Sequence, residues 1–231
     1  EDGARADHLR TAHAWLTREG VPSEWLDRSA LAAFEPRVSE SAVGGLFIGT
    51  HGLVGVQALV QALLLSARFA GAVLAAPVEV VSVVPRGAEV EVRANGREWH
   101  ADCVVIATGS WTNSVRVQGA RLPPIRPIRG QLLHLRVDAE DLPSRVVWGS
   151  ECYVVPWSDR SLLVGATVED VGFDETSTVT GVQALTTAVQ RLLPGTSRAA
   201  LAGVRVGLRP SSADGLPIIG PLDEAPNVVL A

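Results

Sequence analysis

The stretch Cys103-Val-Val-Ile-Ala-Thr-Gly-Ser-Trp111 carries the strongest fold signal in this chain of 231 residues. Its first five residues are apolar without alternation, which is typical of a strand covered on both faces. We therefore predict a strand over 103–107, with Cys103 as a buried free thiol. Thr108-Gly109-Ser110 then predicts a tight turn whose backbone lets a ligand approach the edge of a sheet. A strand-to-helix turn without a ligand explains the stretch equally well.

Helix and strand signals alternate upstream of this stretch. Three helices are predicted, and apolar residues recur at helical spacing in the first and the third, 7–19 and 56–69. Asp27 or Ser29 can cap the second helix, which we expect to end at Phe34, before Pro36. Short strands are predicted at 73–74, 78–84, 89–93 and 98–100. Asn95-Gly96 is a typical two-residue hairpin turn between the last two strands.

Downstream, the pattern is mostly β. Strands are predicted at 130–136, 145–149, 152–156, 161–166, 201–208, 217–219 and 228–230. One helix, over 179–193, interrupts them. Early alternation followed by an antiparallel block predicts an α/β plus α+β fold in which the chain crosses between two domains.

The composition excludes several classes of protein. Hydrophobic residues make up 47% and charged residues 19%, which argues against a disordered chain. Twenty basic and 25 acidic side chains give a net charge of −5, which argues against a nucleic-acid partner. Polar residues interrupt the most apolar stretch, 55–76, so we predict no membrane span. Two cysteines without metal-ligand spacing favour a reducing cytoplasm and no metal site.

Two further residues are suited to bind a small acid. Arg209 precedes Pro210, so its backbone should be extended. Its guanidinium, in a segment framed by glycine and proline, would suit a carboxylate bound through two hydrogen bonds. A surface ion pair is the commoner role for such an arginine. Tyr153, the only tyrosine, lies in a strand-like segment and could equally be a packing residue.

Five motifs in chain order resemble the FAD-dependent amine oxidoreductases of the D-amino-acid oxidase type. They are Val104-Val-Ile-Ala-Thr-Gly-Ser-Trp111, Ile128-Arg-Gly-Gln131, Tyr153-Val-Val-Pro156, Val164-Gly-Ala-Thr167 with Gly172-Phe-Asp174, and Gly207-Leu-Arg-Pro210 with Asp214-Gly-Leu-Pro-Ile-Ile-Gly-Pro221. The resemblance extends from about Trp25 to the last residue. Within the family it is strongest to the glycine oxidases of thiamine biosynthesis.

The resemblance implies an FAD-binding, Rossmann-like domain and an antiparallel-sheet substrate domain. The partial FAD-binding domain would comprise 40–118 and 205–231, and the substrate-binding domain 1–39 and 119–204. The chain has no Gly-x-Gly-x-x-Gly motif, which holds the FAD pyrophosphate in the family, and it has no methionine. We therefore expect an internal fragment of a longer oxidase, incomplete at both ends and inactive by itself.

The resemblance also implies roles for individual residues. Arg209 corresponds to the arginine that binds the substrate carboxylate, and Tyr153 to the tyrosine whose hydroxyl joins it. The residues that correspond to cofactor contacts are Val81, Ala107, Thr108, Gly109 and Trp111. Val81 would contact the adenine end of FAD through its backbone, and the other four form the turn that packs on the cofactor. No side chain is predicted to act as a catalytic acid or base.

The implied activity is FAD-dependent oxidation of glycine or another small amino acid by oxygen, giving glyoxylate or another 2-oxo acid, ammonia and hydrogen peroxide. Related alternatives are a sarcosine oxidase, a D-amino-acid dehydrogenase and the oxidoreductase half of a tRNA-modifying enzyme. A truncated, non-catalytic binding domain is the alternative outside the enzymes. The partners would be the amino acid and oxygen, and we predict a cytoplasmic homo-oligomer.

Overall fold

The computed structural model describes residues 3–157 and 159–231. The chain divides into two compact units. Unit 1 comprises the chain up to Val56, Gln131–Thr167 and Thr176–Val206. Unit 2 comprises Gln57–Gly130, Val168–Glu175 and Gly207–Ala231.

The secondary structure is mixed, as the predicted fold class requires. The helices are α1 (Gly3–Arg18), α2 (Arg28–Phe34), α3 (Val56–Phe69) and α4 (Val179–Leu192). The strands are β1 (Ser23–Asp27), β2 (Gly44–Ile48), β3 (Val80–Arg86), β4 (Glu89–Ala94), β5 (Arg97–Ala101), β6 (Val104–Ile106), β7 (Arg116–Val117), β8 (Arg126–Arg136), β9 (Val147–Trp148), β10 (Tyr153–Pro156), β11 (Ser161–Gly165), β12 (Ala200–Ser211), β13 (Gly220–Leu222) and β14 (Ala225–Leu230).

A sheet in the order β12-β8-β11-β10-β9 carries the core of unit 1. β11 pairs antiparallel with β8 and with β10, which aligns their inward-facing residues. Leu133, Leu162 and Val164 are fully buried, and they pack with the apolar face of α4. Helix α4 thus packs on one face of this antiparallel sheet.

Caps and turns fix the ends of several elements. Asp27 caps α2, since its carboxylate accepts a hydrogen bond of 2.8 Å from the backbone N–H of Ala30. This confirms the predicted cap. In unit 2, Gly96 has a φ of +73° between β4 and β5, which confirms the hairpin predicted at Asn95-Gly96.

Unit 2 contains two sheets. One has the order β5-β4-β3-β7, and the other has the order β13-β14-β6, in which β6 runs parallel to β14. Buried side chains of both sheets form one cluster that includes Val83, Val90 and Val228. The cofactor turn is predicted in the segment that directly follows the carboxyl end of β6.

The structure corrects the interpretation of the stretch that begins at Cys103. Cys103 is exposed, so its predicted burial is wrong, and β6 begins one residue later, at Val104. Val105 is 59% exposed, so the strand is not covered on both faces by the described residues. Ile106, which points to the opposite face, is 5% exposed, so the described residues cover only one face of β6. An apolar run shows that a strand is hydrophobic, but it does not show that other residues cover both of its faces.

Other segments also differ from the predictions. Residues 73–74 and 217–219 are irregular and not strands, and β13 begins at Gly220. Residues 40–56 lie in unit 1, whereas 119–130 lie in unit 2. The assignment of the domains to cofactor and substrate stays a prediction. In the part of the chain that the structure describes, no helix combines the length and apolar character needed to cross a bilayer.

Candidate functional site

The predicted cofactor turn follows β6. Gly109 has a φ of +55° and begins a short 3₁₀ helix, Gly109–Ser114. Apart from Gly109 and its two chain neighbours, no described atom lies within 4 Å of the position of a Cβ at Gly109, so the backbone angle and not crowding favours glycine there. Ala107 and Thr108 are exposed, and Trp111 is about half exposed. The backbone of this turn is therefore open to a ligand.

Two buried hydroxyl groups fix the turn. Ser110 is 2% exposed and donates a hydrogen bond of 3.1 Å to the carbonyl of Leu208. Thr112 donates one of 2.7 Å to the carbonyl of Gly109. Because Leu208 precedes Arg209, Ser110 ties the cofactor turn to the strand that carries the predicted carboxylate ligand. Sequence reasoning missed both roles, and the partner of Ser110 is 98 residues away.

Arg209 lies in β12, and its side chain crosses a glycine of the neighbouring strand β8. A Cβ at Gly130 would lie 2.3 Å from Nη2 and 2.9 Å from Cζ of Arg209. Gly130 is buried, whereas Arg209 is exposed. The guanidinium thus rests on a floor of backbone while remaining accessible, which suits the binding of a small carboxylate.

A cavity of about 440 Å³ in unit 2 adjoins the turn and the end of β12. Its volume is within the range of small-molecule sites. Most of its lining is apolar or backbone: Ile106, Gly109, Thr112, Pro123, Ile125, Pro210, Ser211, Ser212, Gly215, Leu216, Pro217, Ile218, Ile219, Leu230 and Ala231. Of the predicted cofactor contacts, Gly109 lines the cavity, while Ala107, Thr108 and Trp111 belong to the same turn. The irregular segment 216–219 therefore serves as a wall of the cavity.

Val81 lies in β3, in the other sheet of unit 2. The pairing of β3 with β4 shifts register between Val80 and Ser82. Such an irregularity leaves the residue at the shift outside the regular ladder of hydrogen bonds. Val81 is also 49% exposed, so a ligand can reach this residue.

Tyr153 lies in unit 1, where β10 pairs it with Gly165 of β11 and Trp148 of β9. A Cβ at Gly165 would lie 2.4 Å from both Cζ and the hydroxyl oxygen of Tyr153. The ring also stacks on Trp148, with centroids 5.0 Å apart and planes at 27°. The tyrosine ring is therefore held by packing on a glycine and an indole.

The predicted site residues are thus distributed over both units. Unit 2 contains Arg209 and all the predicted cofactor contacts, and unit 1 contains Tyr153. Within residues 3–157 and 159–231, no cluster of three or more His, Cys, Asp or Glu side chains could hold a metal ion.

Known proteins resemble the chain over its whole length. The family model described as "DAO: FAD dependent oxidoreductase" matches residues 1–231. The bifunctional protein ThiO/ThiG of Nostoc sp. is 36% identical over 215 residues, which are 91% of this chain and 32% of that protein. The hydrogen cyanide synthase subunit HcnC of Pseudomonas aeruginosa is 32% identical over 229 residues, which are 97% of this chain and 54% of that protein.

A solved structure agrees with the fold. The crystal structure of glycine oxidase from Geobacillus kaustophilus superposes with a TM-score of 0.92 at 29% identity, covering 100% of this chain and 62% of that one. The chain therefore spans less than two thirds of the length of each of these three relatives. The match confirms the predicted FAD-binding fold and the resemblance to glycine oxidases, and the cofactor is FAD. The chain belongs to the DAO family of FAD-dependent oxidoreductases.

Proposed function

We propose that the protein oxidises glycine or another small amino acid with FAD and oxygen. For glycine, the reaction is glycine + O₂ + H₂O → glyoxylate + NH₃ + H₂O₂. The observation that carries the proposal is the Arg209 guanidinium on Gly130, on a strand tied to the cofactor turn by the bond from Ser110 to Leu208. An exposed cation beside a turn open to the cofactor suits a substrate that has a carboxylate next to its reacting carbon.

Arg209 would bind the substrate carboxylate through two parallel hydrogen bonds, and the Tyr153 hydroxyl would donate a third. A carboxylate bound at Arg209 would hold the α-carbon in one orientation, which lowers the barrier by removing the entropy cost of alignment. When bound, FAD supplies the acceptor for the two electrons and the hydrogen of the α C–H bond. The chain's own contribution is binding and orientation.

The residues of unit 2 fit the cofactor. Its 440 Å³ cavity has a largely apolar lining, which suits a flat aromatic ring, and the backbone at Gly109 opens onto it. Ala107, Thr108 and Trp111 would contact FAD from the same turn, and Val81 would do so through the backbone at its register shift. We accordingly assign unit 2 chiefly to the cofactor and unit 1 chiefly to the substrate.

A substrate panel with the full-length protein tests the proposal. The purified protein should be yellow and should release peroxide with glycine faster than with sarcosine or D-alanine. A colourless protein would contradict an FAD enzyme. Peroxide only with D-alanine or sarcosine would replace glycine by that amine, and reduction of an artificial acceptor without peroxide would indicate a dehydrogenase. Release of cyanide would group it with the HcnC relative.

Its cellular setting is also proposed. Similarity to the ThiO half of a bifunctional protein supports a role in thiamine biosynthesis. Deletion of the gene should create a requirement for thiamine, and unaltered growth without thiamine would remove that role. The cytoplasmic location and the homo-oligomer stay predictions, to be checked by cell fractionation and by light scattering of the purified protein.

A further inference from the structure

The segment Val168–Glu175 belongs to unit 2, although the chain on both sides of it belongs to unit 1. One anchor of the segment is a backbone bridge in which Arg129 and Glu169 exchange two hydrogen bonds, of 2.8 and 3.0 Å. Gly172, with a φ of +66°, then turns the chain. A segment this short with a single bridge needs side-chain tethers to hold one conformation.

The Arg129 side chain supplies two such tethers. Its Nη2 donates to Glu169 Oε2 and its Nη1 to Asp174 Oδ2, both at 2.6 Å, and the side chain is only 5% exposed. The hydrogen bond to Glu169 raises the pKa of Arg129, and the negative charge of Asp174 raises it further. Loss of either carboxylate would leave a buried cation incompletely paired, which is strongly unfavourable.

A second arginine of β8 provides a contrast on the same segment. Arg126 pairs with Asp170 at 2.9 Å, but the two side chains are 61% and 57% exposed. Solvated pairs of this kind contribute little to stability. In the pairs of Arg129 the guanidinium is buried, although Glu169 and Asp174 are 26% and 48% exposed. These pairs, and not the solvated pair of Arg126, should therefore hold the segment in place.

The segment brings an aromatic ring to the cofactor turn. Phe173 packs on Trp111 with ring centroids 5.9 Å apart and planes at 37°. Phe173 is 54% and Trp111 is 49% exposed, so surrounding residues cover only about half of each. The contact between the rings therefore depends on the position of the backbone that carries Phe173, next to Asp174. We infer that Arg129 is a positioning residue that, through Glu169 and Asp174, holds Phe173 against Trp111 and so sets the orientation of the Trp111 ring at the cofactor site. The link to FAD rests on the proposed function, whereas the clamp does not.

Limited proteolysis of the full-length protein tests the clamp without reference to activity. A protease that cleaves after glutamate can act within the segment at Glu169 and Glu175, and mass spectrometry identifies the cuts. Asp174→Asn should increase cleavage there about tenfold over the matched control Asp170→Asn, because it opens the segment locally. Equal rates in the two variants would overturn the clamp. If Asp174→Asn does not fold, Arg129→Lys, which keeps the charge but lacks the two NH₂ groups that face the two carboxylates, takes its place.

A double-mutant cycle tests the positioning role. Phe173→Ala and Asp174→Asn should each weaken FAD binding to the apoprotein about fivefold, and the double variant should be no weaker than Phe173→Ala alone, because Asp174 acts through Phe173. Multiplying effects, or variants that bind FAD like the parent, would overturn the role. A parent protein that does not bind FAD would contradict the proposed function and leave the proteolysis result standing.

Discussion

Arg209 and Tyr153 lie in different units, yet each side chain crosses a glycine of a neighbouring strand. At Gly130, a Cβ would meet the end of the Arg209 side chain, which is flexible and can move aside. At Gly165, a Cβ would meet the rigid ring of Tyr153, and also Leu132 Cδ2 at 2.4 Å. Because the ring is stacked on Trp148 as well, it has no simple way to yield. A Cβ at Gly130 can therefore be accommodated by a shift of the Arg209 side chain, whereas a Cβ at Gly165 would displace the Tyr153 ring.

The largest expected effect removes the cation. Arg209→Ala should raise the KM for glycine about 100-fold, because hydrogen bonds between charged groups are lost from the carboxylate. Flavin content should stay similar. Steady-state peroxide assays measure the change, with Arg205→Ala, an exposed arginine of the same strand, as the matched control. A KM within twofold of the parent value would contradict the role of Arg209.

The second-largest effect is expected at Gly165, where a Cβ would displace the Tyr153 ring. Gly165→Ala should lower kcat/KM about 30-fold, since a displaced ring misplaces the Tyr153 hydroxyl and also disturbs the packing of the ring on Trp148. Gly203→Ala is the control, because no described atom lies within 4 Å of the position of its Cβ. Similar kinetics for both alanine variants would show that the ring can move.

Removal of the hydroxyl alone should cost less. Tyr153→Phe keeps the ring on Gly165 and Trp148 but loses one hydrogen bond to a charged group, so KM should rise about tenfold with little change in kcat. Thermal unfolding should be unaltered. An unchanged KM would assign Tyr153 to packing, the alternative that the sequence left open.

The smallest effect is expected at Gly130, where the Arg209 side chain can move aside. Gly130→Ala should raise KM less than about fivefold, because the guanidinium can shift while its charge remains near the site. If this variant were as impaired as Gly165→Ala, the contrast between a flexible and a rigid side chain would be wrong. The two variants are best measured side by side in the same assay.

Local structure could be predicted from the sequence, but burial could not. α3 has the predicted bounds, and α4 ends one residue early, at Leu192. Leu185 and Val189 of α4 are buried, whereas no residue of α3 is buried by the part of the chain that the structure describes. Periodicity identifies the apolar face of a helix, but it does not show whether that face is buried. The exposed Cys103 shows the same limit for an apolar run predicted as a strand.

The site could be predicted only in part for a similar reason. The motifs pointed to Arg209, Tyr153 and the turn at Gly109 as candidates, since each is a local pattern, and their roles stay predictions. The supporting contacts depend on which strands pair and in which register, as for Tyr153 opposite Gly165. Local sequence specifies such pairing weakly. The partner of Ser110 and the glycine under Arg209 therefore became evident only in the structure.

A comparison of two substrates tests whether Arg209 recognises the carboxylate. Glycine and glycinamide present the same reacting carbon, but glycinamide lacks the carboxylate that Arg209 is proposed to bind. Peroxide assays of the full-length protein should give a kcat/KM at least about 100-fold higher for glycine, and Arg209→Ala should remove most of this preference. An equal preference in the parent and in Arg209→Ala would contradict this role of Arg209, because another group would then recognise the carboxylate.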